Sequence, residues 1–424
     1  MSSSATPAWY DAGRQHVWLP YTQMKTAAPA LPVVRAEGVR LQLADGRQLI
    51  DGISSWWSVV HGYRHPHIEQ AVRAQLETLP HVMLGGLAHE QAYTLATRLA
   101  ALLPDPLNHV FFTDSGSVGV EVAMKMATQY WLNAGKRRTR FVCFRGGYHG
   151  DTFATMSVCD PDEGMHSLFK GSLIEQVVVD LPRSDEAAAA LESMIAREAD
   201  SIAAIIVEPL VQGAGGMVFH DAAVLERLQR VARTHDLLLI FDEVFVGLGR
   251  LGGMFACAMT GVVPDIVVLS KALTGGTLPL AATIASRRVY DGFLSDRGDA
   301  ALMHGPTYMG NALACAAANA SLDLFEREPR LERAQAIGRQ LEQALAPARA
   351  IPGVVDVRTR GAIGVIQLDR AVPGERVTRF AAERGVWLRP FRDIVYTTPP
   401  LIIGEDDLAQ VAEVAVAAVR EIAG

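Results

Sequence analysis

Two residues of this 424-residue chain carry the strongest chemical suggestion, a lysine and an acid that each follow a run of apolar residues. Lys271 stands in V-V-L-S-K-A-L-T-G-G, where a charged amine is destabilised and its pKa is pulled down. A lysine so placed can add to a carbonyl and form a Schiff base. Upstream, I-F-D-E-V closes another apolar run with Asp242 and Glu243. An ionised acid there is costly unless a cationic group meets it. A third feature is Asp114-Ser115-Gly116-Ser117 ahead of a helix-length segment, where small residues leave N–H groups free to hold a phosphate. Taken singly, each has a plain alternative: a lysine reaching to solvent, an internal ion pair, an N-cap. Together they suit one ligand, an aromatic nitrogen ring bearing an aldehyde and a phosphate. Lys271 would meet the aldehyde, Asp242 the ring nitrogen, and Ser115-Gly116-Ser117 the phosphate. Pyridoxal 5'-phosphate is such a ligand, and a carboxylate on its ring nitrogen makes the ring an electron sink.

These residues need elements to position them. Short apolar runs at 110–112, 141–144, 203–207, 237–241 and 266–269 alternate with helix-length segments, one of them 118–132. Continuous V/I/L/F strands in that rhythm predict an α/β fold with a mostly parallel sheet covered on both faces. Ligands of such sheets bind beyond the carboxyl ends of the strands. That rim would carry 113–117, 145–151, Glu208-Pro209, Asp242-Glu243 and Ser270-Lys271. Near the N-terminus, runs at 39–43 and 48–50 flank Asp45-Gly46 and read as a hairpin. Past about residue 325 come a charged helix (330–346), strands near 354–357 and 363–368, and a closing helix from Glu405, a smaller α+β domain. The expected organisation is an N-terminal segment (1–52) packing with the small domain, a large domain (53–325) and a C-terminal small domain (326–424).

Half the residues are apolar and acids exceed bases by only 7, which excludes disorder as the main state and argues against a nucleic-acid surface. Four scattered cysteines without a C-x-x-C pair argue against a disulfide scaffold or zinc ribbon and fit a reducing compartment. The N-terminus lacks the basic start and apolar stretch of a secretory signal, and no apolar window approaches the length of a membrane span. A soluble cytoplasmic protein is expected. His61, His65 and His67 cluster, but Pro66 interrupts any helix and no further ligand lies at helical spacing, so no metal site is expected.

D-E-V-x-x-G-x-G-R-x-G (Asp242 to Gly252) followed by L-S-K-A-L-T-G-G (Leu269 to Gly276) resembles the class III pyridoxal-phosphate-dependent aminotransferases of fold type I. Further blocks resemble one branch of that family: L-P-Y-T from Leu19, D-G-I-S-S-W-W from Asp51, H-G-Y-x-H-P from His61, G-Y-H-G-D-T-F from Gly147, Q-G-A-G-G-M from Gln212, M-H-G-P-T-Y-M-G-N from Met303 and G-V-W-L-R-P-F from Gly385. That branch passes the amino group of S-adenosyl-L-methionine to 8-amino-7-oxononanoate, giving 7,8-diaminononanoate in biotin biosynthesis. The alternative is another class III ω-aminotransferase with lysine or a diamine as donor. A scaffold without turnover would keep Lys271 and Asp242 only at a cost in stability.

The resemblance implies a fold-type I large domain with a mostly parallel, seven-stranded sheet, and a homodimer whose active site is shared across the interface. It makes Lys271 the residue that bonds the cofactor and then moves the proton, and Asp242 the partner of the ring nitrogen. Gly116 and Ser117 would bind the phosphate, with Pro306 and Thr307 joining from the other subunit, and Tyr148 would cover the ring face. Tyr21, Trp56, Gly305 and Arg389 would shape the substrate pocket, Arg389 taking the acceptor carboxylate, with Trp57, Asp151, Phe391 and Tyr396 as further candidates. A long aliphatic acid needs such apolar walls and one bidentate cation, and a sulfonium suits aromatic faces. Phe245, Val246, Leu248 and Leu251 depart from the class motif beside Arg250 and bear on donor preference.

Overall fold

The computed structural model describes residues 6–162 and 166–423. The chain divides into two compact units, Met1–Pro66 with Glu332–Gly424, and His67–Leu331. The first unit begins with an antiparallel meander of β1 (Val33–Glu37), β2 (Arg40–Leu43) and β3 (Gln48–Asp51), turning at Asp45-Gly46 between the last two.

The second unit is built on β4 (Leu107–Thr113), β5 (Arg140–Phe144), β6 (Val177–Val179) and β7 (Ile202–Val207), then a small ribbon of β8 (Val211–Gln212) with β9 (Val218–Phe219). It continues with β10 (Leu238–Asp242), β11 (Ile266–Leu269) and β12 (Ala281–Ser286). The main sheet has seven strands in the order β4-β12-β11-β10-β7-β5-β6. Only β12 runs against its neighbours, so the other six are parallel and their carboxyl ends share one edge. Every residue of β7, β10 and β11 is buried, which is why these strands read as unbroken apolar runs. The helix Gly116–Asn133 packs Val120, Ala123, Ala127 and Trp131 into the same core as Ile206, Ile240 and Val268.

The rest of the first unit comprises β13 (Val354–Thr359), β14 (Gly364–Leu368), β15 (Val386–Trp387) and β16 (Ile394–Thr397), closed by the helix Glu405–Ala423. β13, β14 and β16 form an antiparallel sheet, while β15 adds to the meander in parallel register, Val386 opposite Ile50 and Trp387 opposite Asp51. Residues after position 52 stay with this unit because Ser54 Oγ donates to the Thr398 carbonyl (2.7 Å) and Tyr63 OH donates to Asp51 (2.6 Å). Among the described residues no helix is long and apolar enough to cross a membrane.

Candidate active site

In the unit His67–Leu331, the parallel edge gathers the polar residues that the strand ends predict. Lys271 directly follows β11 and Ser270, with φ of 44°, a left-handed conformation rare for a side-chain-bearing residue and held only where the surroundings over-determine it. Burial pulls its pKa down to about 8, against the opposing charges of Asp242, Glu208 and Asp151. Its Nζ lies 6.0 Å from the centre of the Phe245 ring.

Asp242 ends β10 and is buried, with Oδ2 2.8 Å from His149 Nδ1 and Oδ1 accepting from the Val244 N–H (3.1 Å). His149, itself 3% exposed, is a neighbour of Asp242 to which the sequence assigns no role. Its signal was the G-Y-H-G block, and only the fold brings positions 149 and 242 together. The adjacent Glu243 serves structure instead, accepting from the Ala256 (2.6 Å) and Cys257 (2.8 Å) N–H groups at the start of the helix Ala256–Thr260. Burial raises its carboxyl to about 7. Glu208, just beyond β7, accepts from the N–H groups of Tyr148 (3.0 Å) and Gly213 (2.9 Å). Burial raises it to about 7, with His149 opposing the shift and Asp242 adding to it. Glu208 therefore fixes the backbone that carries both Tyr148 and His149.

Ser115 caps the helix Gly116–Asn133 by accepting from the Val118 N–H (3.3 Å), so Gly116 and Ser117 occupy the first turn, where N–H groups lack intrahelical acceptors. Ser117 Oγ accepts from the Asp151 N–H (3.2 Å). A Cβ on Gly116 would stand 2.9 Å from Val244 Cγ1, and one on Gly150 2.3 Å from Ser117 Oγ. The cradle is thus closely walled, and backbone is what it presents. Tyr148 OH donates to Asp151 Oδ1 (3.0 Å), which also lies 3.0 Å from His166 Nε2, and the Tyr148 and His166 rings stack at 5.7 Å. Gly305, Pro306 and Thr307 lie on a largely exposed loop before the helix Ala312–Arg327, tethered where Lys125 Nζ meets the Met303 carbonyl and His304 Nδ1 (3.2 Å).

The other candidates fall in the unit Met1–Pro66 with Glu332–Gly424. Arg389 Cζ lies 4.8 Å from the Trp56 ring centre, and Tyr21 meets Trp56 edge-on at 6.5 Å. In the same unit, Trp57 meets Tyr396 at 6.4 Å and Phe391 meets Tyr396 at 5.2 Å, both edge-on. The unit thus sets one guanidinium over an indole and holds an aromatic cluster in which Trp57 and Tyr396 are buried and Phe391 half-buried. The four motif departures, Phe245, Val246, Leu248 and Leu251, are all buried side chains, and Phe245 is the one beside Lys271.

These residues fit pyridoxal phosphate: an amine of lowered pKa, a buried carboxylate backed by a histidine, and a backbone cradle at the start of an 18-residue helix on the same sheet edge. Fold and site together define a pyridoxal-phosphate-dependent transferase of the α/β type. The profile of the family described as "Aminotransferase class-III" matches residues 21–419, and the chain belongs to that family. It is 44% identical over 423 residues to the adenosylmethionine-8-amino-7-oxononanoate aminotransferase of Corynebacterium glutamicum, covering 98% of this chain and 99% of that one. The protein of the same name from Mycobacterium leprae is 45% identical, with 100% and 98% covered. Among solved structures, the adenosylmethionine-8-amino-7-oxononanoate aminotransferase of Methanocaldococcus jannaschii is similar with a TM-score of 0.91 and 32% identity, covering 97% of this chain and 98% of that one. A PLP-bound amine transaminase from an uncultivated Pseudomonas species has a TM-score of 0.90 and 33% identity, with 96% and 99% covered.

Proposed function

We propose that this aminotransferase passes the amino group of S-adenosyl-L-methionine to 8-amino-7-oxononanoate, forming 7,8-diaminononanoate in biotin biosynthesis. The observation that carries the chemistry is the sheet edge where Lys271, with its lowered pKa, accompanies the Asp242–His149 pair. The names of the relatives support the choice of substrates.

Pyridoxal phosphate, when bound, supplies an electron sink for charge that develops at the substrate carbon. Lys271 would hold its aldehyde, Gly116 and Ser117 its phosphate, and Tyr148 its ring face. Asp242, oriented by His149, would keep a proton on the ring nitrogen. Once the donor's amine takes its place at the aldehyde, the freed Lys271 Nζ would take the proton from Cα of the donor and, in the second half-reaction, deliver one to the carbon that was the acceptor's ketone. Arg389 receives the acceptor carboxylate through its paired N–H groups, and Trp56, Tyr21 and Phe391 enclose the aliphatic chain, with the buried Trp57 and Tyr396 supporting Phe391. The same aromatic faces suit the sulfonium of the donor. Gly305, with Pro306 and Thr307 supplied by a second copy of the chain, completes the site, so the working unit is a cytoplasmic homodimer.

The competing donor class, lysine or a diamine, is kept in view by Phe245 beside Lys271, where the class motif usually carries a smaller or polar residue. A spectral half-reaction separates the two. S-adenosylmethionine alone is expected to bleach the yellow holoenzyme, whereas lysine alone leaves it yellow; the reverse result would overturn the donor assignment.

A further inference from the structure

Ser54, Ser55, Trp56 and Trp57 all take left-handed backbone, with φ of 51°, 44°, 56° and 74°. L-residues other than glycine resist this conformation, so a run of them persists only where the surroundings over-determine it. Asp51, at the end of β3 and 0% exposed, supplies that restraint. Its Oδ1 accepts from the Ile53 N–H (3.0 Å), while Oδ2 accepts from the Ser55 N–H (2.8 Å) and from Tyr63 OH (2.6 Å). Tyr63 OH also hydrogen-bonds with Ser55 Oγ. From the opposite side, Thr397 Oγ1 donates to the Gly52 carbonyl (2.7 Å) and Ser54 Oγ donates to that of Thr398 (2.7 Å). The turn splits the tryptophan pair. Trp56 faces outward against Arg389, and Trp57 turns in toward Tyr396.

We propose that Asp51 is a positioning residue for acceptor binding: its carboxylate holds the left-handed turn Ser54–Trp57, which sets the Trp56 ring against Arg389 and fixes the direction of the guanidinium fork. A planar guanidinium stacked on an indole keeps its edge N–H groups aimed for a carboxylate. The inference rests on the reading that Arg389 receives the acceptor. An asparagine at position 51 has the same shape but one acceptor oxygen, and its NH2 would face a donor already in place.

The test compares D51N, Y63F and R389A holoenzymes by acceptor KM, kcat and near-ultraviolet circular dichroism of the indoles. D51N is expected to raise the acceptor KM about tenfold, keep kcat within about threefold and alter the indole signal. Y63F removes one of the three donors and is expected to raise KM about threefold; it carries the test alone if D51N does not fold. An unchanged acceptor KM with an unchanged indole signal in the folded variants would overturn the proposal, as would equal losses of kcat and bound cofactor. If R389A leaves the acceptor KM unchanged while D51N still shifts the indole signal, the assignment of Arg389 falls but the hold of Asp51 on the turn stands.

Discussion

Lys271 is where burial becomes chemistry. With a pKa near 8 instead of the usual 10.5, about a tenth of its amines are neutral at pH 7 and about nine tenths at pH 9. Only the neutral amine adds to a carbonyl, so the rate at which apoenzyme takes up pyridoxal phosphate should rise about tenfold between pH 7 and 9 and then level off. Stopped-flow absorbance reads this directly, and a rate still climbing steeply beyond pH 10 would mean that the amine is not shifted. Lys271 and Asp242 were legible in sequence because a charged residue closing an apolar strand stands out against the cost of burying it. His149 was not, since nothing local tells a motif histidine that it will lie 2.8 Å from a carboxylate on another strand. Glu243 shows the same limit in reverse: neighbouring acids look alike in sequence, yet one faces the sheet edge and the other caps a helix.

Among the elements, the strands that close the sheet's buried middle were readable because burial on both faces forces unbroken apolar composition, and β11 matches its expected bounds of 266–269. β12 is not legible in the sequence. Ala281–Ser286 is rich in small residues and carries Thr283, whose hydroxyl donates to the Gly119 carbonyl (2.8 Å), so its apolar signal is weak. The left-handed turn Ser54–Trp57 also left no trace, as it contains no glycine to announce positive φ. Where a glycine does mark geometry, it gives a test. Gly150 has φ of +131° and its Cβ would meet Ser117 Oγ at 2.3 Å, so G150A should both strain the loop, at about 1–3 kcal/mol, and displace the phosphate cradle. The pyridoxal phosphate dissociation constant is expected to rise at least about tenfold, with a lowered Tm, in absorbance titration and calorimetry. An unchanged dissociation constant would remove Ser117 from the cradle.

At the scale of the whole molecule, the proposal that two copies of the chain share each active site predicts complementation. Thr307→Asp would set a carboxylate against the partner's phosphate, and K271A removes the amine, so each homodimer should be nearly inactive. Random reassortment places an intact Lys271 beside an intact Thr307 in one of the two sites of a mixed dimer, restoring about a quarter of wild-type activity per chain. No recovery after demonstrated subunit exchange would show that each site is complete within one chain. The deepest commitment, however, is the covalent one, and it is the simplest to measure. Borohydride reduction of the holoenzyme followed by peptide mass spectrometry should place a pyridoxyl group on the peptide containing Lys271; a label on any other peptide, or none at all, would contradict the account.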